Sequence, residues 1–181
     1  MTILGISAYY HDSSACIIQD GNIIAAAQEE RFSRIKHDSS YPHQAIEYCL
    51  QEAGNPKIDK TVFYENPILK YDRVQKNLYS FPQTYSKFKT ALDAQKKRIN
   101  ETSHMEYVDH HISHAASAFY PSPFEDAVIV TIDGVGEWNT TTICNGVKNK
   151  IHKITSLDYP NSLGLLYSAF TYFCGFRVNN G

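Results

Sequence analysis

One order of predicted elements occurs twice in this sequence, and this repetition constrains the fold more than any single motif. A strand, a polar turn, a second strand, an Xaa-Gly turn, a third strand and a helix follow one another from residue 2 and again from about residue 127. Tandem copies of one unit indicate an internal duplication. The alternative is coincidence, since three strands followed by a helix are common in α+β proteins. The repeat predicts an α/β protein (α+β mixed sheets) with subdomains at residues 1–121 and 122–181.

Local signals place the elements of each copy. In the first copy, Asp20-Gly21 predicts a hairpin turn and residues 29–40 form a predicted polar loop. In the second, Asn145-Gly146 predicts a type I′ hairpin, and the tyrosine-rich residues 64–85 show no helical stripe. The predicted strands are 2–7, 14–19, 22–28, 60–64, 106–109, 126–133, 140–144 and 150–155, and the predicted helices are 42–53, 85–99, 112–119 and 162–173.

Charge and cysteine usage restrict the partners and the compartment. With 17 basic and 19 acidic residues, the net charge of −2 gives no large cationic surface for a nucleic acid or an acidic membrane. No apolar run approaches the ~20 residues of a membrane span, and residues 1–5 lack the basic start of a signal peptide. The four cysteines are dispersed without a CxxC pair, which is typical of reduced thiols. We expect a cytoplasmic protein with no nucleic-acid and no membrane partner.

The densest group of chemically active side chains is the segment Asp109-His110-His111-Ile112-Ser113-His114. On a helix, His110 and His114 project from one face at the spacing of two metal ligands, and His111 with His114 could do the same. Histidines near a helix start can also cap it or lie at the surface. Asp133 ends the next apolar strand, where a carboxylate caps a turn or binds a cation or donors. Two imidazoles and Asp133 predict a metal triad with open positions, as in non-haem iron or catalytic zinc sites.

Polar or glycine-rich turns follow the first strand of each copy. The turn His11-Asp12-Ser13-Ser14 brings hydroxyl and backbone donors to a sheet edge, where they could meet a phosphate-like anion. After the strand that starts the second copy, Gly134 and Gly136 let the backbone approach a ligand closely. Asp, Ser and Gly are also ordinary turn formers, so these turns by themselves are weak indicators of a site.

Three basic residues lie in or near the predicted loops: Arg34, Lys36 and Arg73. Next to two anion-binding turns they could hold phosphate or carbamoyl oxygens. Most lysine and arginine side chains are simply solvated, which is the competing interpretation.

Four motifs occur along the chain in a fixed order: Gly5-Ile-Ser-Ala-Tyr-Tyr-His-Asp-Ser-Ser-Ala15, Glu29-Glu-Arg-Phe-Ser-Arg-Ile-Lys36, Asp109-His-His-Ile-Ser-His-Ala-Ala-Ser-Ala-Phe119 and Thr131-Ile-Asp-Gly-Val-Gly-Glu-Trp138. Together they resemble the start of a NodU/CmcH-type O-carbamoyltransferase. The resemblance implies the actin-like, ribonuclease H-like superfold of duplicated βββαβα units, with the second unit truncated here. This agrees with the repeat seen in the sequence.

The resemblance also implies a reaction. The family transfers a carbamoyl group from carbamoyl phosphate, with ATP and through carbamoyl-adenylate, to a hydroxyl of a sugar, antibiotic or nodulation-factor-like small molecule. In this sequence it implies a divalent metal on His110, His114 and Asp133. Fe(II) is the expected ion, with Zn(II) and Mn(II) as alternatives; it would polarise the carbamoyl carbonyl or bind nucleotide phosphate.

Further roles follow from the same resemblance. His11 and Asp12 would lie at the transfer centre, where His11 takes the acceptor proton or orients the carbonyl. Lys36 would act in catalysis beside the carbamoyl-adenylate phosphate, with Arg73 next to it. The remaining substrate- and nucleotide-binding candidates are Ser13, Ser14, Gly134 and Gly136.

Family members are several times longer than 181 residues, and they carry a further Asp ligand and an adenylating domain resembling the YrdC fold. We therefore expect this chain to be interrupted and to be inactive by itself as a carbamoyltransferase. One competing hypothesis is a tRNA-modifying metalloprotein like the threonylcarbamoyl transferases, which share the actin-like fold and a His-x-x-x-His pair. Another is a non-catalytic metal-binding fragment that self-associates; a homodimer is compatible with either.

Overall fold

The computed structural model describes residues 1–80 and 85–178, and the chain divides into two compact units. The first unit comprises Met1–Tyr64 and Lys96–Val108, and the second comprises Glu65–Gln95 and Asp109–Gly181. The predicted subdomains 1–121 and 122–181 refer to the two copies of the repeated unit, and this division stays a prediction.

A five-stranded mixed sheet forms the first unit, with strand order β3-β2-β1-β4-β5. β1 (Thr2–Ser7), β2 (Ser14–Gln19) and β3 (Asn22–Gln28) pair antiparallel, while β4 (Lys60–Phe63) runs parallel to β1, and β5 (Glu106–Tyr107) parallel to β4. Asp20 and Gly21 both adopt positive φ, 49° and 86°, as a type I′ turn requires. The first three predicted strands and their hairpin are confirmed.

Apolar side chains on one face of this sheet form its buried core. Leu4 and Ile6 alternate along β1 and pack with Phe63 of β4. The neighbouring strand contributes Ile17, which packs against α2 (His43–Glu52) around the fully buried Cys49. Helix α2 presents its apolar residues every three to four positions, so one stripe faces the sheet.

The second unit contains the antiparallel sheet β6-β7-β8, formed by Asp126–Ile132, Asn139–Val147 and Lys150–Asp158. Helix α5 (His110–Phe119) packs on this sheet through Ala115 and Phe119, against Ile129 and Cys144. The unit also includes α3 (Pro67–Ser80), the first residues of α4 (Tyr85–Thr102), and α6 (Leu163–Phe173).

The predicted α/β class with mixed sheets is confirmed, and so is the repeated order of three strands followed by helix. The Asn145-Gly146 hairpin is wrong, because β7 continues through both residues and the turn falls at Lys148-Asn149, between the paired Val147 and Lys150. Gly146 is required for a different reason: a Cβ there would lie 2.7 Å from the Phe119 ring.

Two further differences concern helices. The predicted loop at 29–40 contains the one-turn helix α1 (Glu30–Ser33), which ends at Arg34 in the left-handed conformation. The tyrosine-rich segment contains α3, whose start is capped because Asn66 Oδ1 accepts from the backbone N–H groups of Ile68 and Leu69. Asn before Pro67 is a helix-start signal, although the segment has no apolar periodicity that indicates a helix.

Within the described residues, no helix combines the length and the apolarity needed to cross a bilayer.

Candidate functional site

Helix α5 and the end of β6 bring three of the predicted ligands together in the second unit. His110 Nε2 lies 2.6 Å from Asp133 Oδ2, and His114 Nε2 lies 3.5 Å from the same oxygen. The two Nε2 atoms are 3.0 Å apart. The side chain of His110 is 12% exposed and that of His114 is 51% exposed, so the group is open to solvent on the His114 side.

The donor chemistry of this triad fits a metal ion. An imidazole nitrogen carries at most one hydrogen, and the ionised carboxylate can only accept. If both Nε2 atoms carry hydrogens toward Asp133, these two N–H groups face each other across 3.0 Å. A single divalent cation between the three atoms would use each lone pair, and two imidazoles with one carboxylate suit iron or zinc.

The structure distinguishes the two histidine pairs that spacing left open. His111 is buried, and its Nδ1 lies 2.6 Å from Thr131 Oγ1, which in turn is 2.7 Å from Thr142 Oγ1. Burial lowers the pKa of His111, with the neighbouring His110 adding to the effect. His111 therefore fixes α5 on the sheet, and it is His110 and His114 that face Asp133.

Asp133 is held by the turn that follows β6 and by the start of α6. Its Oδ1 accepts from the backbone N–H of Gly134 at 2.6 Å. Ser162 caps α6, accepting from Leu165 N–H, and its hydroxyl lies 2.6 Å from the Gly134 carbonyl oxygen. Hydrogen bonds from His110 and then His114 hold the pKa of Asp133 well below its ordinary value, so the carboxylate is ionised at neutral pH.

Gly136 packs directly against the histidines. A Cβ at this position would lie 3.0 Å from Cδ2 of both His110 and His111. At Gly134 the nearest atom to such a Cβ is a side-chain carbon of Leu165 at 3.7 Å, an ordinary contact. The close approach at Gly136 is thus to the imidazole rings, and the assignment of both glycines to substrate or nucleotide stays a prediction.

Glu137 is an important residue that sequence reasoning missed. It is 5% exposed, and its carboxylate accepts from the backbone N–H groups of His110, at 3.0 Å, and Asn66, at 2.7 Å. A carboxylate at a helix start satisfies free N–H groups and interacts favourably with the helix dipole. Asp109 precedes the helix without a side-chain cap bond, and α5 begins at His110 rather than at the predicted residue 112.

The first unit brings His11 and Asp12 together with His37, a histidine that the sequence did not single out. His37 Nδ1 lies 2.9 Å from Asp12 Oδ1, and His11 Nδ1 lies 4.0 Å from Asp12 Oδ2. Ser13 is buried, and in the part of the chain that the structure describes its hydroxyl has no hydrogen-bond partner. An orphaned buried hydroxyl is available to a ligand.

The remaining predicted residues lie on three different elements. Ser14 begins β2, where it pairs with Gln28 and Ser7. Lys36 is exposed in the loop of the first unit, whereas Arg73 lies on α3 in the second unit. Burial lowers the pKa of Arg73, whose guanidinium lies 5.9 Å from the centre of the Tyr159 ring. Its Nε is buried with no hydrogen-bond partner among the described residues.

Residues 2–181 match the family model described as carbamoyltransferase N-terminus. The chain is similar to the uncharacterized protein sll1178 of Synechocystis sp., with 46% identity over 201 residues that cover 99% of this chain and 33% of that protein. It is 34% identical to nodulation protein NolNO of Sinorhizobium fredii over 180 residues, covering 95% of this chain and 26% of NolNO. The chain thus spans about a third or less of these relatives' length.

The similarity to solved structures is more distant. A crystal structure of the Aquifex aeolicus member of the Ppx/GppA family aligns with 95% of this chain and 54% of its own, with a TM-score of 0.42 and 13% identity.

Proposed function

The chain belongs to the carbamoyltransferase N-terminus family, and from that premise we propose that it forms part of an O-carbamoyltransferase. The proposed donor is carbamoyl phosphate, activated with ATP as carbamoyl-adenylate, and the acceptor is a hydroxyl of a small molecule such as a sugar, an antibiotic or a nodulation factor. The family match over residues 2–181 carries this proposal, and the similarity to nodulation protein NolNO supports it.

His110, His114 and Asp133 are the proposed metal ligands, because their three donor atoms lie within 4.8 Å of one another. Fe(II) is the proposed ion, with Zn(II) and Mn(II) as alternatives. A bound divalent ion would supply Lewis-acid chemistry, polarising the carbamoyl carbonyl or neutralising phosphate charge. Glu137 would position the helix that carries both imidazoles by capping the start of α5, and Gly136 would position the His110 ring through direct packing.

The proposed transfer step forms a bond between the acceptor oxygen and the carbamoyl carbon and breaks the bond from that carbon to the adenylate phosphate oxygen. The acceptor loses its proton to His11, and AMP departs with the bonding electrons. An imidazole suits proton transfer near neutral pH. His11 is 43% exposed, which leaves it accessible to an acceptor.

A cationic and a hydroxyl group of the first unit are proposed to hold the adenylate. Lys36 would neutralise phosphate charge, and the orphaned hydroxyl of Ser13 would donate to a phosphate oxygen. Arg73 carries an unpartnered buried Nε among the described residues, which supports a role in binding an anion. Ser14 and the turn glycines remain candidates for backbone contacts.

The metal assignment is tested by anaerobic titration calorimetry with Fe(II) and, separately, Zn(II). His110→Ala should weaken binding at the triad by at least about tenfold, since removing even a supporting group of a metal site costs this much. His152→Ala is the matched control, because this histidine is exposed on β8 of the same unit. Equal affinity and stoichiometry in wild type and His110→Ala would exclude the assignment.

The donor assignment is tested with stable sulfamate analogues of carbamoyl-adenylate and threonylcarbamoyl-adenylate. We expect the carbamoyl analogue to bind more tightly and Lys36→Met to weaken it, with the exposed Lys57→Met as control. Preference for the threonylcarbamoyl analogue would favour a tRNA-modifying enzyme instead. Binding of neither analogue would count against an adenylate site on this chain.

A further inference from the structure

We propose that His11, Asp12 and His37 form a second metal site, in the first unit, for zinc or another late first-row transition metal ion. Each side chain offers one ligand atom, and the three atoms lie within 4.8 Å of one another. His37 Nδ1 is 2.9 Å from one carboxylate oxygen of Asp12, and His11 Nδ1 is 4.0 Å from the other.

These distances bracket those of a coordination sphere. Zinc bonds to imidazole nitrogen and carboxylate oxygen are about 2.0–2.2 Å long, so tetrahedral ligand atoms lie about 3.3 Å apart. The side chains of His11, Asp12 and His37 are 43%, 29% and 40% exposed, which leaves an entry path and room for water ligands.

The backbone holds the two contributing segments in place without the ion. Ser13 N–H donates to the Asp38 carbonyl at 2.9 Å, which fastens the turn after β1 to the loop that carries His37. His37 N–H donates to Glu30 Oε2 at 3.0 Å, and its φ of 57° directs the chain through a tight bend. A site assembled before binding loses little conformational entropy when the ion arrives.

The donor set selects the class of ion. Two imidazoles and a carboxylate suit zinc, copper, nickel or iron, whereas magnesium and calcium prefer all-oxygen sites. The inference goes beyond the proposed transfer reaction and does not rest on it, because ion binding is a property of the first unit alone. An imidazole bound through Nδ1 carries its hydrogen on Nε2 and cannot accept the acceptor proton. The ion-bound site and the proposed proton transfer to His11 are therefore alternative states, and transfer requires the ion-free form.

The test uses the full chain with the first triad removed by His110→Asn and His114→Asn. Zn(II) titration calorimetry and Co(II) absorption should report one bound ion. Adding His37→Asn or Asp12→Asn should lower Zn(II) affinity at least tenfold. Asn tolerates the left-handed conformation of residue 37 better than Ala, so the backbone is spared. His104→Asn is the matched control, because His104 is exposed in the same unit.

Two results would overturn the inference: no zinc bound to the His110→Asn, His114→Asn chain, or unchanged affinity after His37→Asn and Asp12→Asn. If circular dichroism shows that the double variant is misfolded, the wild-type chain decides. There, His37→Asn should reduce the zinc stoichiometry from two ions to one, and an unchanged stoichiometry would refute the site. If the wild-type chain binds a single zinc ion and His37→Asn abolishes that binding, the result counts against the metal in the proposed function and leaves this inference standing.

Discussion

Replacing Glu137 with Ala is expected to destabilise the second unit strongly, although this residue is not itself a proposed ligand. The substitution removes a 5% exposed carboxylate that accepts from the backbone N–H groups of Asn66 and His110. Hydrogen bonds to a charged acceptor contribute about 1.5–3 kcal/mol each. Two such bonds at the lower value give a loss of about 3 kcal/mol. Glu137→Gln keeps an acceptor oxygen and should cost about 1 kcal/mol.

Urea unfolding followed by circular dichroism measures this loss. At an m value of about 2 kcal/mol/M, Glu137→Ala should lower the unfolding midpoint by about 1.5 M. The control is Glu125→Ala, since Glu125 is exposed in the same unit and should change stability by less than about 0.5 kcal/mol. A Glu137→Ala chain within 0.5 kcal/mol of wild type would refute the capping argument. Because Glu137 caps the helix that carries His110, we also expect the Glu137→Ala chain to bind a metal at the proposed triad about 10–100-fold more weakly.

Three further outcomes follow from the site, from the packing and from the backbone conformation. Because His110 and His114 lower the pKa of Asp133, its carboxylate contributes stability that is present above the unfolded-state pKa of about 3.9 and is lost as pH falls below it. In metal-free buffer, wild type should therefore lose stability more steeply between about pH 5 and pH 2 than Asp133→Asn, as measured by urea midpoints; parallel pH profiles would contradict this. Gly146→Ala should cost about 1–3 kcal/mol because the added methyl overlaps the Phe119 ring, and a thermal midpoint equal to that of wild type would exclude the overlap. Gly21→Ala meets no atom within 4 Å but has φ of 86°, so it should cost about 1 kcal/mol through backbone conformation alone.

Periodicity and turn chemistry were sufficient where interactions are local. The alternation along β1 and the Asp20-Gly21 turn follow from neighbouring residues, and both were predicted with their bounds. Asn145-Gly146 shows the limit of the same signal. Its glycine accommodates an aromatic ring from another element, and a local turn preference cannot reveal that contact.

Identifying the proposed metal triad required both kinds of information. The spacing of histidines on a helix identifies two candidate pairs of ligands. Asp133 is a candidate ligand because its carboxylate ends an apolar strand. The choice between His110 and His111 depends on which side of α5 faces the sheet. That orientation is fixed by the buried contact of His111 with Thr131, between residues 20 positions apart.

The sequence alone determined the repeated unit, the mixed α/β class and the residue types of the triad, because strand alternation, turn residues and helix spacing are encoded over a few positions. The capping of α5 by Glu137 and the contact of His37 with Asp12 became visible in the folded chain alone. Both depend on atoms brought together from positions more than 20 residues apart. Such contacts are set by how sheets and loops pack, which no local pattern records.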